Sequence, residues 1–117
     1  MMTFTLGVVV ADYHPEMTHH MLDLVLSSAK FDGHYIADVV HVAGVYDMPL
    51  AVQKLLKKKN IHGVITLGVV LQGGTQHDVI VAENAAKKFV DLSCQFDKPV
   101  TCGVIGPRVS RERAQER

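Results

Sequence analysis

A three-layer α/β/α sandwich on a four-stranded parallel sheet is predicted for this chain by three observations. Apolar runs alternate four times with helical periodicity along 117 residues. The runs at 4–11 and 62–71 are continuous rather than alternating, the pattern of strands buried on both faces beneath helices. Turn and stop residues (Asp32-Gly33, Asn60, Pro99) punctuate the junctions.

Each element follows from its own residues. The run at 4–11 is the first strand, and 16–31 places Met17, Met21, Leu24, Val25 and Ser28 on one helical face. After Asp32-Gly33, residues 35–42 alternate into a second strand. Pro49 suits a helix's first turn, and a short helix is predicted over 50–59. Its Lys57, Lys58 and Lys59 read as a solvated C-terminus complementing the macrodipole, with Asn60 as the stop. The third strand is predicted at 62–71, the third helix at 79–96, the fourth strand at 99–105 and the start of a fourth helix at 109–117. No repeat, linker or low-complexity segment interrupts the chain, so 1–117 is one domain of flavodoxin-like type. In such sheets ligands bind outside the carboxyl ends of the strands. The segments there are 12–15, 43–49, 72–78 and 106–110.

Composition narrows the partners. Twelve basic and twelve acidic side chains cancel, which gives no electrostatic reason to expect nucleic acid or an anionic membrane. A hydrophobic fraction of 48% is that of an ordinary globular domain. No apolar run approaches the roughly 20 residues of a membrane span, and the run before Asp12 reads as a strand rather than a signal peptide. Two cysteines, Cys94 and Cys102, make no disulfide framework and are expected as free thiols in a reducing cytoplasm.

The richest segment is Gln72-Gly73-Gly74-Thr75-Gln76-His77-Asp78. A buried strand, a two-glycine turn and a helix start together expose backbone N–H groups, a natural anion site. The hydroxyl of Thr75 adds a further hydrogen bond, and His77 a group able to move protons near neutral pH. The pattern points to a small phosphorylated molecule, against the plainer reading of a tight turn capped by a histidine.

In Gly44-Val45-Tyr46-Asp47-Met48-Pro49, Tyr46 offers a ring wall. Asp47 is either an acceptor for ligand hydroxyls or, the reading its position favours by itself, the N-cap before Pro49. Tyr13 is a stacking platform or an ordinary rim residue. Among Arg108, Arg111, Arg113 and Arg117, spacing cannot choose one to meet an anion. His14, His19, His20, His34, His41 and His62 show no metal-ligand spacing, so no metal is expected.

Taken together, the four loops resemble the lumazine synthase family in its archaeal form. The match runs from Leu6 to Arg117 and is carried by Gly7-Val8-Val9-Val10-Ala11-Asp12-Tyr13, by residues 43–52, by Thr66-Leu67-Gly68-Val69-Val70 with Gly73 to Asp78, by Asn84-Ala85-Ala86-Lys87 and by residues 113–117. The resemblance implies an enzyme of riboflavin biosynthesis. It condenses 5-amino-6-ribitylaminouracil with 3,4-dihydroxy-2-butanone 4-phosphate, releasing phosphate and water, without a cofactor. His77 then matches the proton-transfer residue, Gly74, Thr75 and Arg117 the phosphate contacts, and Tyr13 the ring stacking on the pyrimidine. Tyr46 and Asp47, with Val45, match the ribityl side, and Val70, Leu71 and Gln72 the strand end facing the pyrimidine.

The resemblance also implies homopentamers, or shells of 60 subunits, with sites between neighbours. Cys102 stands where a larger apolar residue of the neighbouring subunit closes the site. His14 replaces a common asparagine and Ala43 a common proline. The family continues past Arg117 with a lysine-bearing loop and a long helix, so the resemblance implies a unit lacking that C-terminal helix. Two alternatives remain: an archaeal-type riboflavin synthase acting on two lumazines, and a non-catalytic flavin-binding or shell-forming module.

Overall fold

The computed structural model describes residues 2–73 and 77–116. The elements run β1 (Thr5–Ala11), α1 (Pro15–Phe31), β2 (Tyr35–Val42), a 3-10 turn (Val45–Asp47), α2 (Met48–Leu56), β3 (Gly63–Leu71), α3 (His77–Phe96), β4 (Val100–Val109) and α4 (Arg111–Glu116). The strands pair in the order β2-β1-β3-β4, all parallel. The predicted sandwich is what forms.

Alternation along the central strands sorts their side chains between two helical layers. Val9 and Ala11 of β1, with Val64 and Val70 of β3, pack under α2 and α3 around Met48, Val52, Leu55, Phe89 and Leu92. Val8, Val10, Ile65 and Leu67 face Met21, Leu22 and Val25 of α1. Val69 and Leu71 complete that side with Met17, Val109 and Ala114, which brings α4 beside α1. Those among them that are fully buried, such as Val8, Val9, Val10 and Phe89, each contribute about 1.5–3 kcal/mol.

The buried face of α1 differs from the predicted one. Leu24 and Ser28 are exposed, while Thr18, Leu22 and Ala29 turn inward with Met17, Met21 and Val25. The shift is a rotation of part of a turn, and it puts the Thr18 hydroxyl, bonded to the His14 carbonyl at 3.2 Å, in the core.

Helix α2 ends at Leu56 rather than at Lys59. Lys98, from the loop before β4, donates to the carbonyls of Leu56 and Lys58 at 2.9 Å each and so supplies the cation at that helix end. Lys58 instead reaches Asp38 at 2.7 Å. Strand β4 runs on past 105 to Val109 because, after a register shift, Val109 pairs with Leu71 and its carbonyl accepts from Gln72 N–H at 2.8 Å. That continuation fixes the exit of β3 over which a ligand would lie.

Candidate active site

The chain crosses from one side of β1 to the other between β2 and β3, so the topological switch point lies between β1 and β3. A cleft of about 380 Å³ opens there, lined by Tyr13, His14, Tyr46, Val70, Leu71 and His77 among others. A volume of that size suits a drug-sized molecule. Three of the four predicted loops converge on it.

Tyr13 and His14 leave β1 toward the cleft, their rings edge to face at 4.9 Å. Tyr13 and Tyr46 are largely exposed, so both aromatic faces remain available to a planar ligand. Val45 is buried, and it sits where it does because β3 carries Gly68. A Cβ on Gly68 would approach Val45 Cγ2 to 2.8 Å and Met48 Sδ to 3.6 Å.

Asp47 does not cap α2, although it occupies the N-cap position. Its Oδ2 accepts from Gly44 N–H at 3.1 Å and closes the 3-10 turn that presents Tyr46. The carboxylate does not line the cleft, and this local bond is its visible role. We predict that Asp47→Ala lowers stability by about 1 kcal/mol, the usual value of such a cap. Urea unfolding of the two proteins checks it.

His77 is the first residue of α3 and lies exposed at the cleft wall, with Val81 one turn behind it. Asp78, next in sequence, is 4% exposed. Its Oδ2 accepts from Arg108 N–H at 3.0 Å, tying the α3 N-terminus to the end of β4. Nothing in the sequence singled Asp78 out beyond its place in the motif; only the tertiary contact reveals it. Val69, Gly44 and Val81 also line the cleft without having been singled out, although Val81 follows His77 by one helical turn.

Burial, and secondarily the Arg111 guanidinium, hold the His14 imidazole below its ordinary value of 6.5, outweighing the opposing Glu16. Because the folded state then binds a proton less readily than the unfolded chain, stability falls as pH drops below about 6.5. We predict that His14→Asn flattens this acid-side slope, as read by thermal midpoints between pH 5 and 7.

Of the other predicted residues, Gln72 is exposed beside the cleft, and Cys102 is exposed on β4 beside Thr66, back from the strand ends. Cys102 does not line this chain's cleft. Gly74, Thr75 and Arg117 lie outside the described residues. Arg111 is paired with Glu16, which leaves it bound to α1 rather than turned to the cleft.

The class this geometry defines is an α/β protein with a ligand cleft at its switch point, walled by two tyrosines and a histidine at a helix start. The chain belongs to the 6,7-dimethyl-8-ribityllumazine synthase family, whose family model matches residues 3–117. It is 50% identical over 112 residues to the protein of that name from Saccharolobus islandicus, covering 96% of this chain and 73% of the relative. The relative from Methanocaldococcus jannaschii is 46% identical over 112 residues, 96% of this chain and 79% of its own. That from Methanoculleus marisnigri is 46% identical over 116 residues, 99% and 86%. Each of these relatives is named as a 6,7-dimethyl-8-ribityllumazine synthase. No helix among the described residues is long and apolar enough to cross a membrane.

Proposed function

We propose that this chain forms 6,7-dimethyl-8-ribityllumazine from 5-amino-6-ribitylaminouracil and 3,4-dihydroxy-2-butanone 4-phosphate in riboflavin biosynthesis. The observation that carries the reading is the joint lining of one cleft by Tyr13, Tyr46, Val70 and His77 in a chain of this family.

The chemistry is addition of the uracil's amine to the ketone, loss of water to a Schiff base, elimination of phosphate and ring closure with loss of a second water. Tyr13 stacks on the pyrimidine, and the β3 end at Val70, Leu71 and Gln72 meets its polar edge. Val45 and Tyr46 flank the ribityl chain, with Asp47 holding their turn and within the same loop. Gly74 and Thr75, which precede His77 in sequence, bind the phosphate together with Arg117, for which amides and a guanidinium fork together suit a dianion. His77 moves protons between the reacting nitrogens, the hydroxyl and solvent. Two reactive substrates held side by side need little more than positioning.

The working assembly is a homopentamer, or a shell of 60 subunits, in which Cys102 faces the neighbour's cleft and Arg117 serves the neighbour's phosphate, and the cellular setting is the cytoplasm. A riboflavin synthase acting on two lumazines has no use for a phosphate site. The test is incubation with both substrates while following lumazine and inorganic phosphate. Release of one phosphate per lumazine supports the reading. Riboflavin formed from lumazine alone, or lumazine binding without turnover, replaces it with one of the alternatives.

A further inference from the structure

Outside the cleft, side chains from the turn after β1, from α1 and from β2 converge at the β2 side of the sheet. Asp12 Oδ1 accepts from His41 Nδ1 at 2.9 Å and from His19 Nε2 at 3.0 Å, and Asp12 Oδ2 lies 3.1 Å from the same His41 nitrogen. The convergence follows from register. His41 pairs with Val10, whose side chain faces α1, and Asp12 lies two residues past Val10 on that same face. Asp12 N–H donates to the Val42 carbonyl at 2.8 Å, which extends the pairing one step and fixes the carboxylate beside His41. The second turn of α1 then lowers His19 onto the pair.

We propose that Asp12, His19 and His41 form a binding site for a borderline divalent metal ion of the zinc or cobalt type. One donor atom from each residue lies within 4.8 Å of the others. With metal–nitrogen and metal–oxygen bonds of about 2.0–2.2 Å, the edges of a four- to six-coordinate polyhedron measure about 2.9–3.4 Å. The two carboxylate–imidazole separations already fall in that range, and turning the exposed His19 ring brings the imidazole nitrogens together.

The donor set selects the ion. Two imidazoles and one carboxylate suit zinc, cobalt or nickel, whereas magnesium and calcium prefer oxygen alone. The side chains are 36–55% exposed, so the remaining coordination positions open to water. Exposed side-chain contacts of this kind contribute little to stability, which leaves the meeting of two histidines on one carboxylate oxygen without a structural purpose. Asp12 directly precedes Tyr13 and His14 of the cleft wall, so an ion here braces the loop that carries the stacking ring.

Titration of tag-free protein with Co²⁺, followed by visible absorption and then by displacement with Zn²⁺, tests the site. Saturation at one ion per chain is expected. His41→Ala and His19→Ala should each weaken binding roughly tenfold or more, while His20→Ala on the adjacent helix position leaves it unchanged. Asp12→Asn should weaken it as well, and circular dichroism checks that each variant is folded. A second readout is the thermal midpoint, which Zn²⁺ raises for the parent and not for His41→Ala. Absence of saturable binding, affinity equal to the parent's in His41→Ala or His19→Ala, or loss on His20→Ala would overturn the proposal.

Discussion

His77→Ala should lower kcat for lumazine formation about 100-fold while leaving the KM of both substrates nearly unchanged, the low end of what a positioned acid/base residue contributes. The reasoning is geometric. His77 stands at the first position of α3 on the cleft wall, on a different element from the Tyr13 and Tyr46 rings that would hold the planar substrate. Its removal deletes no part of the sheet, and the exposed position leaves no cavity in the core. Positioning of two reactive molecules survives, so turnover continues slowly with solvent carrying the protons. Steady-state kinetics with each substrate varied in turn reads the effect. A variant as fast as the parent would remove His77 from the mechanism, and a rise in KM without loss of kcat would make it a binding residue.

Gly106→Ala should destabilise the domain by about 3 kcal/mol and damage the cleft floor with it. Gly106 has φ +124°, a region that residues with a Cβ rarely adopt. A Cβ there would stand 2.4 Å from the Val70 carbonyl oxygen and 3.2 Å from Val70 Cβ. The obstacle is backbone of the central strand, which cannot rotate away as a flexible side chain could. Relief therefore requires the β3 and β4 ends to part, and Val70 belongs to the cleft. By contrast, Gly73→Ala meets nothing within 4 Å and should leave stability near the parent's. Thermal denaturation of the pair separates steric from general effects of losing a glycine: a fall of about 10 °C is expected for the first. Equal midpoints would show that the strand ends yield freely.

Much of the fold was legible because its signals are local. The continuous apolar runs of β1 and β3 and the glycine or proline stops reflect hydrogen bonding and burial that each segment needs for itself. Where reading and structure part, a distant residue intervenes. The lysine run 57–59 looked like a helix end, but Lys98 occupies that role from 42 residues away, as its bond to the Leu56 carbonyl shows. The end of β4 could not be placed from residues 99–105, since its extension depends on pairing Val109 with Leu71. Asp47 was legible as a cap but not as the cap of its own preceding turn.

The alternation of strands and helices and, through the loop residues, the family were legible along the chain. Those properties rest on periodicity and short motifs, which are written in consecutive positions. Tertiary structure alone decided that Asp78 is buried against Arg108 N–H, that Arg111 is held by Glu16, and that Asp12, His19 and His41 meet. Each of those contacts joins segments far apart in the chain. Parallel pairing and the packing of α1 across β1 and β2 set such distances, and no spacing along the sequence encodes them.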